Sequence, residues 1–584
     1  MLKNDVRILL VGDDKVGKSS IVTSLIKDTF IPNVQHVIPE VTIPPEVTPE
    51  NIVTYIVDSS ARPENREQLD SEIKKADVIC VVYSVNNKET FDRISSFWIP
   101  YIRMIRNNIS IIIVGNKIDV RGEHTTNENL KEEITPLLKT FKEIETCVEC
   151  SAKSNINISE VIYFAQKAIL YPTAPIYDSQ INALKPACVQ ALSRIFKLCD
   201  LEGDGILTDE EIMKFQKYCF SQPLSEEELF LVKEIIKENY PEGVNERGLT
   251  QNGFLFLHNL FICQGSVETT WEVLRKYGYD DNLSFREDFI HPKIEIPDEC
   301  TIELKKEGYD FFRNLFHKYD KDKDGVLSPR ELNELFSITP GNPWISMDTQ
   351  QSVVTDKNGN ITLQGFLSQW SLITWLDYKV TLEYLAYFGY GDNTTSVFEI
   401  IPLNKKHSKH NKKIKRKVYS CCVLGATGSG KTALLKGLVD KSFTEVYQTT
   451  TKRFCVANSV VIGDEEKYLI MNEVGPKYDS DLLSSKKRLD AYDVLVFIYD
   501  SSDIHSFAYI ANLRKQYNLM GYPVIYISTK NDCIAVEQRY EEQPDEYCRN
   551  LGLSIPIRTS VKSNILSDVY HLIVGIGMNP YVFN

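Results

Sequence analysis

Two stretches of the chain carry the spacing G-x-x-x-x-G-K-[ST]: Gly12-Asp13-Asp14-Lys15-Val16-Gly17-Lys18-Ser19 and Gly425-Ala426-Thr427-Gly428-Ser429-Gly430-Lys431-Thr432. Glycines let backbone N–H groups converge on phosphate oxygens where a Cβ would intrude, and the lysine adds a point charge near the terminal phosphates. The hydroxyl of Ser19 or Thr432 then suits Mg2+. The bland alternative is a Gly-rich turn with a surface lysine. Against it stand the apolar runs before each loop, Val6 to Val11 and Val418 to Leu424, and the helix-like stretches that continue from Ser20 and Ala433. Strand, loop and helix N-terminus are thus all in place.

Further along the first half stand Asn116-Lys117-Ile118-Asp119 and Ser151-Ala152-Lys153. A carboxylate only accepts hydrogen bonds, so Asp119 fits the two donors on guanine's edge and would face an acceptor on adenine. GTP and GDP are therefore favoured over ATP. These are base-reading elements of Ras-like GTPases, which residues 1–170 resemble. The resemblance makes Asn116 a brace for the loop and lays Lys117 and Lys153 along the base plane. Asp58 ends the second apolar run and matches the aspartate that holds Mg2+ directly or through water. The residues after Asp58 depart from the family: Ala61 stands where a glycine gives its N–H to the γ-phosphate, and Arg62 where a glutamine orients the attacking water. Slow hydrolysis is expected. Arg62 is read either as an arginine acting in cis or as a solvated switch residue. Val37 falls at the effector-threonine position, with Thr42 as a substitute candidate.

The last third repeats the scheme in altered form. Thr529-Lys530-Asn531-Asp532 replaces N-K-x-D, Ser560-Val561-Lys562 parallels Ser151-Ala152-Lys153, and Glu473 stands where Asp is expected. Guanine selection through Asp532 survives, while Mg2+ geometry and hydrolysis are both expected to suffer.

Between the two loops lie two twelve-residue stretches with oxygen ligands at calcium spacing. One offers Asp200, Glu202, Asp204, the Ile206 carbonyl, Thr208 and Glu211; the other offers Asp320, Asp322, Asp324, the Val326 carbonyl, Ser328 and Glu331. Gly205 and Gly325 sit at the sharp turn. Glu202 is long for its position, so the first site is expected to be weaker. Because one helix pair leaves an apolar face open, each loop needs a partner. Gly248 to Leu257 and Thr355 to Leu367 read as such partners without the terminal glutamate. Thr270 to Asp281 resembles Thr381 to Asp392, an internal repeat of about 110 residues.

These motifs require elements to carry them. Apolar strand candidates at Ile52 to Val57, Val78 to Val85, Ser110 to Val114 and Thr146 to Cys150 alternate with helical stretches, the rhythm of a doubly wound parallel sheet. With 584 residues and 43% hydrophobic content the chain holds several cores. We divide it into a Ras-like domain at 1–170, EF-hand pairs at 180–290 and 300–400, and a second GTPase domain at 416–580. The fold class is multidomain: two α/β P-loop GTPase domains flanking an all-α tandem EF-hand region. A net charge of −14 argues against nucleic-acid partners. Thirteen cysteines without a paired framework indicate reduced thiols. Cys147-Val148-Glu149-Cys150 is a lone C-x-x-C read as strand core. The basic run Lys405 to Lys417 is read as a solvated linker, with anionic lipid as the other option. No signal peptide precedes the first strand, and no apolar run approaches the ~20 residues that span a bilayer.

The order GTPase, paired EF-hands twice, second GTPase resembles the mitochondrial Rho GTPases called Miro, over essentially the whole chain. Glu145 to Lys153 and Gly365 to Trp370 resemble that family's own runs. The resemblance implies an outer-membrane protein facing the cytosol that couples guanine-nucleotide state and Ca2+ to mitochondrial trafficking through kinesin and dynein adaptors. Exchange or activating factors are further partners it allows. It also implies a C-terminal membrane helix that this sequence does not include, so the chain as given is expected to be soluble. The competing expectation is a Ca2+-responsive scaffold whose GTPase folds bind nucleotide but hydrolyse it poorly.

Only two loops keep the bidentate glutamate, so calorimetry should count two Ca2+ ions per chain, abolished by Glu211→Lys with Glu331→Lys. A count of four would make the partner loops real sites.

Overall fold

The computed structural model describes residues 5–48, 50–121, 134–138, 140–222, 224–297, 300–344, 351–391, 393–402, 416–446, 453–475 and 478–579. Most of the basic run, at 405–415, and the final residues 580–584 lie outside them. The chain forms two compact units, Met1–Asp200 with Gly205–Phe285, and Leu201–Asp204 with Arg286–Asn584.

In the first unit, strands β1 (Asp5–Val11), β2 (Val41–Ile43), β3 (Val53–Val57), β4 (Val78–Ser84), β5 (Ser110–Asn116) and β6 (Ile144–Glu149) form one sheet in the order β2-β3-β1-β4-β5-β6. Every residue of β4 is buried, as expected of a central strand covered by helices on both faces. Helices α1 (Lys18–Lys27) and α2 (Arg66–Lys75) follow β1 and β3; α3 (Lys88–Arg93) and α4 (Ile99–Ile105) lie between β4 and β5, and α5 (Ile158–Leu170) follows β6. The sheet corrects the all-parallel expectation: β2 runs antiparallel to β3, pairing Thr42 with Tyr55. Three residues make a short run, too short for alternation to reveal a strand.

The same unit carries the first helical module. The short strand Ile206–Leu207 pairs antiparallel with Leu249–Thr250, joining the first calcium-type loop to its partner loop. The second unit repeats this with Val326–Leu327 and Ile361–Thr362. The internal repeat extends to buried hydroxyls: Thr270 bonds His258, and Thr381 bonds Thr374. Both threonines are wholly buried.

The second unit also holds a six-stranded sheet in the order Phe454–Ile462, Glu465–Glu473, Val418–Gly425, Val494–Asp500, Val524–Thr529, Ile557–Arg558, with only the first pair antiparallel. The helix Leu363–Leu376 packs against strand Phe454–Ile462, where Gln364 Nε2 donates to Asn458 Oδ1 at 2.8 Å. Tyr309 stacks on Tyr468 with ring centroids 4.9 Å apart. The end of the basic run is not linker: Arg416 forms ion pairs with Glu303 at 3.1 Å and Asp493 at 2.6 Å. Glu303 Oε2 also accepts from the amides of Lys417 and Val418. Composition marked these residues as solvated because their partners lie 77 and 113 positions away.

Glu303 is 4% exposed and Asp493 6%. Removing Arg416 would leave both carboxylates buried without their cation, so Arg416→Ala should destabilise the second unit by about 3–5 kcal/mol in chemical denaturation, whereas a surface pair would cost under about 1 kcal/mol.

Candidate functional site

The N-terminal site assembles at the carboxyl ends of β1, β3 and β5. Gly17 has φ 99°, and a Cβ there would lie 2.3 Å from Asn116 Nδ2. That vacancy lets Asn116 donate to the Val16 carbonyl at 3.0 Å, tying the end of β5 to the phosphate loop. Asn116 Oδ1 in turn accepts from the amides of Lys117 and Ala152, at 2.8 and 3.2 Å. Ser151 Oγ donates to Asp119 Oδ1 at 2.7 Å, and Lys153 lies 3.8 Å from the other carboxylate oxygen. The predicted base-reading residues therefore share one corner. Lys117 reaches back to the Lys15 carbonyl at 2.6 Å, joining base side to phosphate side.

At the phosphate end, Lys18 Nζ donates to the carbonyls of Gly12 and Asp13, at 2.7 and 3.0 Å. Burial pulls its pKa down, against the pull of Asp58, Asp14 and Asp13. Ser19 Oγ donates to Asp58 Oδ2 at 2.6 Å, and the Ile38 amide donates to the same oxygen at 3.0 Å. Burial pushes the Asp58 carboxyl above its usual range despite those bonds. A hydroxyl and a carboxylate in direct contact are the donor set that fits Mg2+, whose charge serves the phosphates. Ser20 continues α1 beyond this pair.

The switch residues fall differently from expectation. Thr42 is exposed on edge strand β2, whereas His36 and Ile38 reach the Ser19–Asp58 pair, so Val37 stands beside it. Thr42 is thereby removed as a substitute. Arg62 is 55% exposed and 3.9 Å from Asp14. His36, which sequence reading missed, sits 3.9 Å from the same carboxylate and 3.2 Å from Ser60 Oγ. Nothing in its local sequence signals this.

The C-terminal site reproduces the plan with substitutions that keep the bonds. Thr529 Oγ1 donates to the Ser429 carbonyl at 2.7 Å, as Asn116 does to Val16. Thr432 Oγ1 donates to Glu473 Oε2 at 2.7 Å, so Glu473 occupies the place of Asp58. Lys431 Nζ caps Gly425 and Ala426, and Ser560 Oγ donates to Asp532 Oδ1 at 2.7 Å. Gly430, at φ 91°, is the left-handed residue from which the helix Lys431–Leu438, containing Ala433, begins. Two lysines depart from the first site. Lys530 pairs with Asp500 at 2.6 Å instead of the phosphate loop, and Lys562 pairs with Glu445 at 2.9 Å.

In the second calcium-type loop, the carboxylates of Asp320, Asp322 and Asp324 each bring an oxygen within 4.8 Å of the others. Asp320 Oδ1 is buried without a hydrogen-bond partner. Glu331 accepts from Ser328 through its amide and hydroxyl, at 2.9 and 2.7 Å. Val326 opens the strand next in the chain. An orphaned carboxylate oxygen facing two further carboxylates fits a hard divalent cation. In the first loop, Asp200 Oδ2 accepts from the Gly205 amide at 2.9 Å, and Thr208 and Glu211 form the same capping box. Ile206 lies on the paired strand, while Glu202 and Asp204 belong to the stretch Leu201–Asp204 that groups with the second unit.

The Ras family profile matches residues 7–171 and 420–574, and two EF hand associated profiles match 222–308 and 344–414. The chain is 46% identical to Mitochondrial Rho GTPase 1 of Cryptococcus neoformans var. neoformans serotype D, over 98% of this chain and 90% of that one. It is 43% identical to the protein of that name from Mycosarcoma maydis, over 99% and 87%, and 40% identical to that of Gibberella zeae, over 97% and 91%.

Asp119, held by Ser151 and beside Lys153, is the carboxylate that the sequence reading assigns to base selection. In a Lys431→Ala chain, Asp119→Asn should weaken GDP binding by about 3 kcal/mol, roughly a hundredfold, because a donor would then face guanine's donors. Calorimetry showing equal affinity for ATP and GTP before substitution would contradict the assignment.

Proposed function

The chain belongs to the mitochondrial Rho GTPase family, with Ras-like GTPase domains flanking an EF-hand region, and on that premise we propose how its sites are used. It is a mitochondrially associated GTP hydrolase. On our reading it works at the cytosolic face of the outer membrane, coupling the nucleotide state of two sites and Ca2+ occupancy of the middle region to recruitment of kinesin and dynein adaptors. Ser19 with Asp58 and Thr432 with Glu473 would hold Mg2+, and Asp320, Asp322, Asp324 and Glu331 would hold Ca2+. Asp200, Glu202, Asp204 and Glu211 would form a second, weaker calcium site. No helix among the described residues is long and apolar enough to cross a membrane.

The observation that carries this reading is that both phosphate loops retain a hydroxyl–carboxylate pair at 2.6 and 2.7 Å, in one chain with an EF-type loop holding an orphaned carboxylate oxygen. A second reading, a Ca2+-responsive scaffold with hydrolysis-poor GTPase folds, is favoured by one feature. Arg62 is more than half exposed and stands where water would be oriented.

Single-turnover GTP hydrolysis by the full chain separates the two. With Lys431→Ala, the N-terminal site should turn over at or below about 10^-4 per second, the range of unassisted Ras-like sites, and with Lys18→Ala the C-terminal site should be slower still. Rates that rise when Ca2+ or a mitochondrial fraction is added support the switch; rates fixed near background under all conditions support the scaffold.

A further inference from the structure

The N-terminal phosphate loop carries a carboxylate, Asp13, whose charge opposes the binding of phosphate, and the fold answers it from eighty residues away. Asp13 Oδ1 accepts from Arg93 Nε at 3.0 Å and from Trp98 Nε1 at 3.2 Å. Trp98 comes within reach through the π-helical turn Ile94–Trp98 between α3 and α4, a local widening that is common at functional sites. The indole is 3% exposed, so its one donor is committed to this carboxylate. The Arg93 guanidinium also lies over the Phe97 ring at 4.7 Å, and Phe97 stacks on Tyr101 at 5.6 Å. Tyr101 donates to Asp70 and lies beneath Arg66, both on α2. An unbroken set of contacts therefore runs from the phosphate loop to the helix that comes after the Asp58 to Arg62 segment.

We propose that Arg93 and Trp98 are positioning residues that neutralise and orient Asp13, and so set how long the N-terminal site retains its nucleotide. This rests on the reading of that site as a nucleotide site. A carboxylate and a phosphate repel each other, and in a partly buried loop solvent screens them weakly. Arg93 cancels the charge, and the indole N–H holds the carboxylate facing α3 and away from the anion. Movement of α2 through Arg66, Asp70 and Tyr101 would loosen Phe97 and Arg93 together, so a partner gripping α2 gains a handle on release.

The test uses the full chain with Lys431→Ala, loaded at the N-terminal site with a fluorescent GDP analogue. Arg93→Gln should speed release by about tenfold, an increase that shrinks at high salt because its origin is charge. Adding Asp13→Asn to Arg93→Gln should return release to within about twofold of the parent, since the unpaired charge is gone. Trp98→Phe should give about threefold, and Arg93→Lys should stay within about threefold of the parent. Unchanged release in Arg93→Gln, or no rescue by Asp13→Asn, overturns the proposal; a merely damaged helix would leave the double variant fast. Failure of the parent to load GDP would instead overturn the nucleotide reading.

Discussion

The hydrogen bond from the end of one strand to the phosphate loop of another is the constraint on which both nucleotide sites depend. A phosphate cradle and a base reader must be held at a fixed separation, yet they come from loops a hundred residues apart in sequence. In the first site Asn116 spans that gap to Val16, and in the second Thr529 does so to Ser429. The side chains differ, but each donates to the same loop carbonyl. Asn116 can approach because residue 17 has no Cβ, so one glycine serves the phosphates on one side and the base loop on the other. The parallel order of the central strands β3-β1-β4-β5 serves this demand, because it brings the carboxyl ends of β1, β3 and β5 to one edge of the sheet.

The two sites share a frame and differ in electrostatics. In the first, Lys117 bridges base side to phosphate side, and Asp14 gathers His36 and Arg62 from the two switch segments. In the second, Lys530 turns to Asp500, and the longer Glu473 accepts from Thr432 where Asp58 accepts from Ser19. One methylene matters where an octahedral shell tolerates little error. Among the described residues, the first site is thus tied through Asp14 to His36 and Arg62, whereas the second is tied through Lys530 to Asp500 and through Lys562 to Glu445.

Within the second unit, the EF-hand module and the C-terminal GTPase fold share a buried ionic cluster. Glu303 from one meets Arg416 and Asp493 from the other, and backbone amides satisfy the remaining carboxylate oxygens. Such a cluster costs desolvation and repays it only with its geometry complete. It favours one arrangement of the two folds, and the stack of Tyr309 on Tyr468 and the Gln364–Asn458 bond reinforce the same arrangement.

The sequence by itself determined the chemistry that is local along the chain. The phosphate-loop, calcium-type and N-K-x-D-like motifs are legible because each is defined by spacing within a dozen residues. The strands with continuous apolar runs were legible for the same reason, and the repeat of the helical modules and the family resemblance were legible from the order of such local motifs along the chain. Tertiary structure decided what long separations conceal: β2 as an antiparallel edge, Thr42 exposed on it while Ile38 meets Asp58 and the His36 carbonyl accepts from Ser19, Arg416 as a buried cation, and Asp13 answered by Arg93 and Trp98. A charged residue reads as solvated until its partner is known. That partner is set by how strands and helices stack, because the burial that makes an ion pair matter exists only once the chain has closed around it.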